Sequence, residues 1–403
     1  MHVLMLCKRQ YTGRDLLDDQ YGRLWEIPEA LAHRGHAVSG LTLSYRRRST
    51  GLHRSPADVH WHSINAVSMR ALYMGRMIDQ IHAQRPIDVL LSSSDALCAT
   101  LGDRFSRRLR VAHVVDLYDN YAAFGLTKLP GVHAAFDHAC RHAAGISVVT
   151  NSLAMALRPS IPGGTPLEVI GNGVRTDLFH PMEQAACRAQ LGLPTNARLI
   201  GCAGALDQSR GIEDLFKAFH LLAHSDPDLH LVIAGPRDNT LERYAHPRII
   251  DQGTLDWRDV PVLINALDVS IVCNRDSAFG RFCYPLKLVE SIACGVPVVA
   301  AAVGDTRRIG GEALATYSPG SCEELKAAIE QQLSIPSRAA RSLACSWEQR
   351  ATQMERLLLQ ALGRGDQLAA GRRNVAAIQS TAGPVHRAIR IVGSQDQAAA
   401  CDL

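Results

Sequence analysis

Aromatic residues make up only 5% of this chain, and its eleven cysteines include no Cys-x-x-Cys pair. No apolar run reaches the ~18 residues that a membrane span needs, because the longest stretches are broken by Lys287, Glu290 or a Gly-Pro pair. The opening MHVLMLCKRQ has no charged region ahead of its apolar residues, so it does not read as a signal peptide. An odd number of dispersed cysteines fits neither a disulfide framework nor a zinc knuckle, which points to a reducing, cytoplasmic setting. A formal net charge of +4 is too mild for a dedicated nucleic-acid binder. Neither G-x-x-x-x-G-K-[ST] nor a G-x-G-x-x-G after an apolar run occurs, which disfavours P-loop phosphotransferases and typical dinucleotide oxidoreductases.

What is present is ordinary globular material, 403 residues with 47% hydrophobic and 20% charged side chains, enough for two or three units. Short β-branched runs alternate with stretches of helical period, the signature of βαβ units and a mostly parallel sheet. The class is α/β. Strands are expected at 2–6, 37–43, 89–92, 111–115 and 145–149, and a second series at 199–202, 229–234, 248–251, 269–273 and 298–301. Two Rossmann-like domains follow, over 1–165 and 166–345, joined through the turn-rich IPGGTPLEVIGNGVRTDLFHP. Residues 346–362 read as a strong helix, and 363–403, without sustained periodicity, as a mobile tail.

In open α/β sheets ligands gather at the carboxyl ends of strands. The richest such stretch is RFCYPLKLVESIACGVPVVAA, a loop, a helix opened by Pro285 and closed by Gly295, and a strand. Free N–H groups at that helix start, together with Lys287, suit a phosphate, and Glu290 one turn on suits ribose hydroxyls. An exposed Lys–Glu pair is the plainer alternative. The one Asp-x-Asp, Asp226-Pro227-Asp228, precedes a strand and reads as a turn, and no metal-ligand spacing stands at the strand ends.

Together with CAGALDQSRGIEDLFKAF, LHLVIAGP, ISVVT, VIGNGVRTDLFHP and CSWEQRA, this unit resembles the retaining GT-B glycosyltransferases of family 4 (group 1) over nearly the whole chain. The resemblance implies two Rossmann-like domains facing across a cleft, with the last helix crossing back to the first domain. It also implies transfer of a sugar from a nucleotide diphosphate sugar to an acceptor hydroxyl, with retention and without a metal or resident cofactor. It gives Glu290 the ribose, and Arg210, Lys287, the 284–287 backbone and Gly22 the diphosphate, while Gly304, Asp305 and Thr306 line the sugar pocket. Three departures stand out: Phe282 replaces the first Glu of the family's E-x7-E, Ala205 an Arg, and Arg175 the acid of NGVD. They leave room for a non-catalytic sugar-nucleotide-binding subunit or an epimerase on the same fold.

In the facing domain HVVDLYDNY puts Asp116 and Asp119 just after a buried strand. Asp116 stands where many relatives carry a His and is expected to orient the donor sugar or balance oxocarbenium charge. Asp119 either shares that catalytic role or caps the next helix. His113 reads as a core histidine. Arg46–Arg48 and the Arg104, Arg107, Arg108, Arg110 set are either solvated surface or one face that meets an anionic acceptor or the inner membrane surface. The acceptor classes left open are a glycan, a lipid-linked sugar and a small molecule.

Overall fold

The computed structural model describes residues 1–363 apart from 12, 69–72 and 124. All but the first residue of the expected tail lies outside the described residues. Two large sheets divide the chain, beside a small hairpin of Gln10–Tyr11 with Arg14–Asp15. The first runs in the order Leu167–Val169, Gly145–Val148, Ala112–Leu117, Val89–Ser93, His2–Lys8, Ala37–Ser44, His60–Asn65, Gly51–Arg54, and is parallel except for the last strand. The second runs Ile249–Asp251, Leu229–Ala234, Arg198–Ala203, Val269–Val272, Val298–Ala301, Ala315–Tyr317, all parallel. Helices cover both faces of such sheets, so their central strands are buried along their whole length, as at Val89–Ser93 and Val298–Ala301.

Strand order reverses beside His2–Lys8 in the first sheet and between Arg198–Ala203 and Val269–Val272 in the second. These reversals open crevices at the carboxyl ends of the strands, and the loops after residues 8, 93, 203 and 272 therefore build the site. A helix over 347–363 then packs Trp347, Ala351, Met354, Leu357 and Leu358 into the core of the first domain. Glu355 pins that helix by pairing with Arg34 and, at 2.5 Å, with His36 Nε2. Among the described residues no helix is long and apolar enough to cross a membrane.

Two expectations change. Leu167–Val169 pairs in parallel with Gly145–Val148, so the first domain keeps the chain until residue 169 instead of 165. The two arginine groups do not share a face. Arg46–Arg48 follow the carboxyl end of Ala37–Ser44, whereas Arg107, Arg108 and Arg110 precede the amino end of Ala112–Leu117. The strands are parallel, so these are opposite edges of the sheet, about 20 Å apart at ~3.3 Å per residue. Arg48, Arg107 and Arg108 are moreover paired with Asp15, Asp103 and Asp79. One anionic surface cannot meet both groups through that edge.

Candidate active site

The helix Leu286–Cys294 starts at Pro285, whose ring fixes φ near −77° and which has no N–H to satisfy. The first N–H groups after it have no partner within the helix and point along the dipole toward the cleft. Lys287 leaves the first turn half-buried and makes no ion pair among the described residues. Its stem lies in a slot made by Gly204, where a Cβ would sit 2.3 Å from the lysine Cε; the φ of +106° there also favours glycine. Gly235 in turn lets the Gly204 carbonyl approach, since a Cβ there would stand 2.1 Å from that oxygen. The lysine Nζ is 3.9 Å from Cys202 Sγ. That thiol ionises more readily than usual because Cys273 hydrogen-bonds to it and Lys287 lies beside it, although burial opposes this.

Arg210 ends a short 3-10 turn whose N–H is capped by Asp207, and its guanidinium rests over the Phe279 ring, 4.4 Å from the centroid. It too is without an ion pair among the described residues. Across the cleft stands Asp119, half-buried after Ala112–Leu117, its Oδ1 accepting the Asn120 N–H at 2.8 Å. Burial raises its carboxyl to about 6, against the Asn120 hydrogen bond and the opposing charges of Arg210 and Lys8. Asp119 and the two cations thus come from opposite domains to one place. Among the described residues it caps no helix.

Glu290 lies one turn beyond Lys287 and is 8% exposed. Burial pushes its carboxyl up to about 7, opposed by Lys287, by the Tyr21 hydroxyl donating at 3.4 Å, and by Arg14. Gly22, at φ +79°, is the N-cap of the helix Arg23–His33 and borders the same narrow crevice as Glu290. The sequence reading missed three other residues bordering it, Glu26, Arg175 in this role, and Trp257. Burial raises Glu26 to about 7, with Arg175 as the main opposing influence. Helical spacing could have flagged Glu26, because Leu24, Ile27 and Leu31 define an apolar face and an acid beside it near the N-terminus faces the cleft.

Asp116 does not open onto the cleft. It is 2% exposed and held by Arg23 through Nε at 2.9 Å and Nη2 at 2.7 Å, by Ser93 Oγ at 2.8 Å and by Ser147 Oγ at 2.5 Å. Arg23, fully buried, spends Nη1 on the carbonyls of Ile170 and Gly171. The pair therefore ties the start of the first helix to the sheet and to the linker, and a carboxylate so fully bonded has no capacity left for a sugar. The three residues after Val298–Ala301 are also committed elsewhere. A Cβ on Gly304 would lie 2.2 Å from the Arg281 carbonyl, so this glycine seats the loop that precedes the helix Leu286–Cys294. Asp305 caps the helix Asn151–Leu157 of the other domain, accepting from Asn151 N at 2.6 Å, Ser152 N at 3.1 Å and the Ser152 hydroxyl. The Thr306 hydroxyl donates to Val303 O at 2.7 Å and is buried. Phe282, where an acid was expected, offers only its carbonyl, to Thr150 Oγ1 at 3.2 Å. Of the residues singled out from sequence, Gly22, Asp119, Arg210, Lys287 and Glu290 converge, while Asp116, Gly304, Asp305 and Thr306 support them from behind.

Two facing parallel domains, a helix crossing back and a cleft at both topological reversals define the GT-B fold of glycosyltransferases. Solved structures agree: the sucrose-phosphate synthase of Thermosynechococcus elongatus superposes with a TM-score of 0.68 at 18% identity, over 94% of this chain and 99% of that one. HepE of Anabaena in complex with UDP superposes at 0.63 and 16% identity, over 93% and 100%. Residues 197–334, within the second domain, match the family model Glycosyl transferases group 1. A D-inositol 3-phosphate glycosyltransferase of Mycolicibacterium gilvum is 35% identical over 150 residues, 34% of this chain. Its counterpart in Mycobacterium bovis is 32% identical over 162 residues. The chain spans about a third of the length of these relatives, 32% and 31%.

Proposed function

We propose that the protein is a retaining glycosyltransferase of family 4 type, moving a sugar from a nucleotide diphosphate sugar to an acceptor hydroxyl held by the first domain. The observation that carries this reading is the pair of cations without ion partners among the described residues, Arg210 and Lys287, at the mouth of an N-terminal helix turn, with Glu290 buried one turn further on. The leaving diphosphate gains negative charge as the glycosidic bond breaks. Two cations and a helix N-terminus meet that charge where it develops, each contact worth up to ~3 kcal/mol in a cleft that excludes water. On this reading a divalent ion is not needed. Glu290 accepts from the ribose hydroxyls. Asp119, a half-buried carboxyl near neutrality opposite Arg210, takes over from Asp116 as the group that orients the donor sugar. The acceptor is deprotonated by the departing phosphate oxygen on the face it leaves from, which gives retention. The solved HepE is described with UDP-glucose and sucrose-phosphate synthase is named for its product, and both are in keeping with this donor class.

The test is NMR of the product formed with a matched donor in excess EDTA. The expected result is unaltered turnover and a new anomeric centre of the donor's own configuration. Inversion would refute the front-face reading, and loss of activity restored by magnesium would refute the assignment of charge balance to Arg210 and Lys287.

A further inference from the structure

Beneath Lys287 the second domain holds a pair of thiols that the donor reading does not use. Cys202 lies in the strand Arg198–Ala203 and Cys273 directly follows its neighbour Val269–Val272, and both are buried in the apolar core of that domain. Three donors converge on the Cys202 sulfur: the Cys273 thiol, the Cys273 backbone N–H and the Lys287 ammonium, whose Nζ is 3.9 Å away. The Gly204 slot directs the lysine there, because the lysine Cε fills the space that a Cβ would take. Behind Cys273 stands Tyr317 of the strand Ala315–Tyr317, within electrostatic reach of both thiols and of Asp214 in the helix Ile212–Ser225.

A sulfur surrounded by donors is set up to carry negative charge, since each of them favours the thiolate over the thiol. Lys287, half-buried and without a carboxylate partner among the described residues, needs a countercharge while the cleft holds no anion. We propose that Cys202 is the positioning residue for Lys287: its sulfur holds the ammonium at the head of the Gly204 slot while the cleft is empty, and yields it to the diphosphate of the donor. The proposal rests on the donor reading above and adds the group that keeps its lysine in place.

Sulfur suits that exchange. A carboxylate in the same position would pair with the lysine strongly enough to compete with the ligand. A thiolate is a larger, more diffuse and weaker acceptor, so a charged phosphate oxygen displaces it. As the diphosphate takes the ammonium, its own negative charge comes close to the sulfur and favours the thiol, which takes its proton from solvent. Diphosphate binding is thereby linked to proton uptake at Cys202, and affinity falls as pH rises through the range in which the free protein loses that proton.

The test is isothermal titration of the full chain with UDP, GDP and ADP, followed by comparison of the parent, Cys202→Ser, Lys287→Ala and the double variant with whichever nucleotide the parent binds best. Serine accepts hydrogen bonds as cysteine does but does not ionise, and Cys202→Ala serves in its place should the serine variant not fold. Asp119, Glu290 and the nucleotide phosphate titrate in the same range in every protein compared, so the ratio of the dissociation constants of parent and Cys202→Ser isolates the sulfur. Between about pH 5.5 and about pH 8 Cys202→Ser should gain on the parent by about threefold or more in affinity. Made in Lys287→Ala, the same substitution should shift that ratio by less than about 1.5-fold, because the thiol has already lost the cation that favours its ionisation. A gain of equal size in both backgrounds, as a purely structural effect would give, or a gain in neither, would overturn the positioning role and leave the donor reading standing. Failure of all three nucleotides to bind the parent would overturn both.

Discussion

Replacing Lys287 by alanine removes the one full charge at the start of the helix Leu286–Cys294 and little else. The side chain is half-buried without an ion pair among the described residues, its stem occupies the Gly204 slot, and alanine is at least as good a helix former. Stability should therefore change by no more than ~1 kcal/mol. Catalysis should change far more. A charge that meets the leaving diphosphate chiefly as the bond breaks is worth about 2.7 kcal/mol, a 100-fold fall in kcat at ~1.4 kcal/mol per factor of ten, with a smaller effect on donor KM. Steady-state release of nucleoside diphosphate, with thermal unfolding as the control, measures both. A variant that melts with the parent and keeps kcat within threefold would refute the placement of Lys287 at the diphosphate. A variant that loses only stability would show Lys287 to be a packing residue in the Gly204 slot.

Asp116→Asn should cost about 3–5 kcal/mol in chemical denaturation, because it leaves the buried Arg23 guanidinium without its countercharge; a stable, folded variant that is inactive would instead restore Asp116 to the chemistry. Asp305→Ala should remove about 1 kcal/mol of capping from Asn151–Leu157 and, because the cap crosses between domains, widen the particle in small-angle scattering; unchanged scattering and stability would refute the cross-domain tie. Glu290 has its carboxyl raised to about 7 against an ordinary value near 4.5, so the folded state holds the proton that the unfolded state gives up. Its contribution is then absent below pH ~4.5, grows increasingly unfavourable between ~4.5 and ~7, and levels above that. Glu290→Gln should accordingly raise the melting temperature at pH 8, by the equivalent of ~1–3 kcal/mol, and flatten the decline between pH 5 and 7. A variant no more stable at pH 8 than at pH 5 relative to the parent would refute the buried, raised carboxyl.

Periodicity located the inner strands closely: 229–234 and 298–301 coincide with the observed Leu229–Ala234 and Val298–Ala301. The edge strands Gly51–Arg54, Leu167–Val169 and Ala315–Tyr317, and His60–Asn65 next to an edge, escaped it. His60–Asn65 alternates polar and apolar residues too briefly to announce itself, and its identity as a strand rests on Trp61 packing on Gly40, where a Cβ would stand 2.0 Å from the ring. Leu167–Val169 has only three residues inside a turn-rich run and is a strand because Gly145–Val148 pairs with it. The site divides the same way. Lys287 and Glu290 could be paired from sequence because one helix start carries both. Asp116 was misjudged because its partner Arg23 lies 93 residues earlier, and Asp305 because the helix it caps begins 154 residues earlier. A carboxylate at a strand end looks the same in sequence whether it faces substrate or a buried arginine; only tertiary pairing separates the two.

The most direct test of the account is mass spectrometry of the purified full chain incubated with a panel of nucleotide diphosphate sugars and cell extract. It predicts a product heavier than its acceptor by one anhydro-sugar, formed in step with free nucleoside diphosphate and lost in Lys287→Ala. No glycosylated product from any donor, or nucleoside diphosphate released without one, would contradict it.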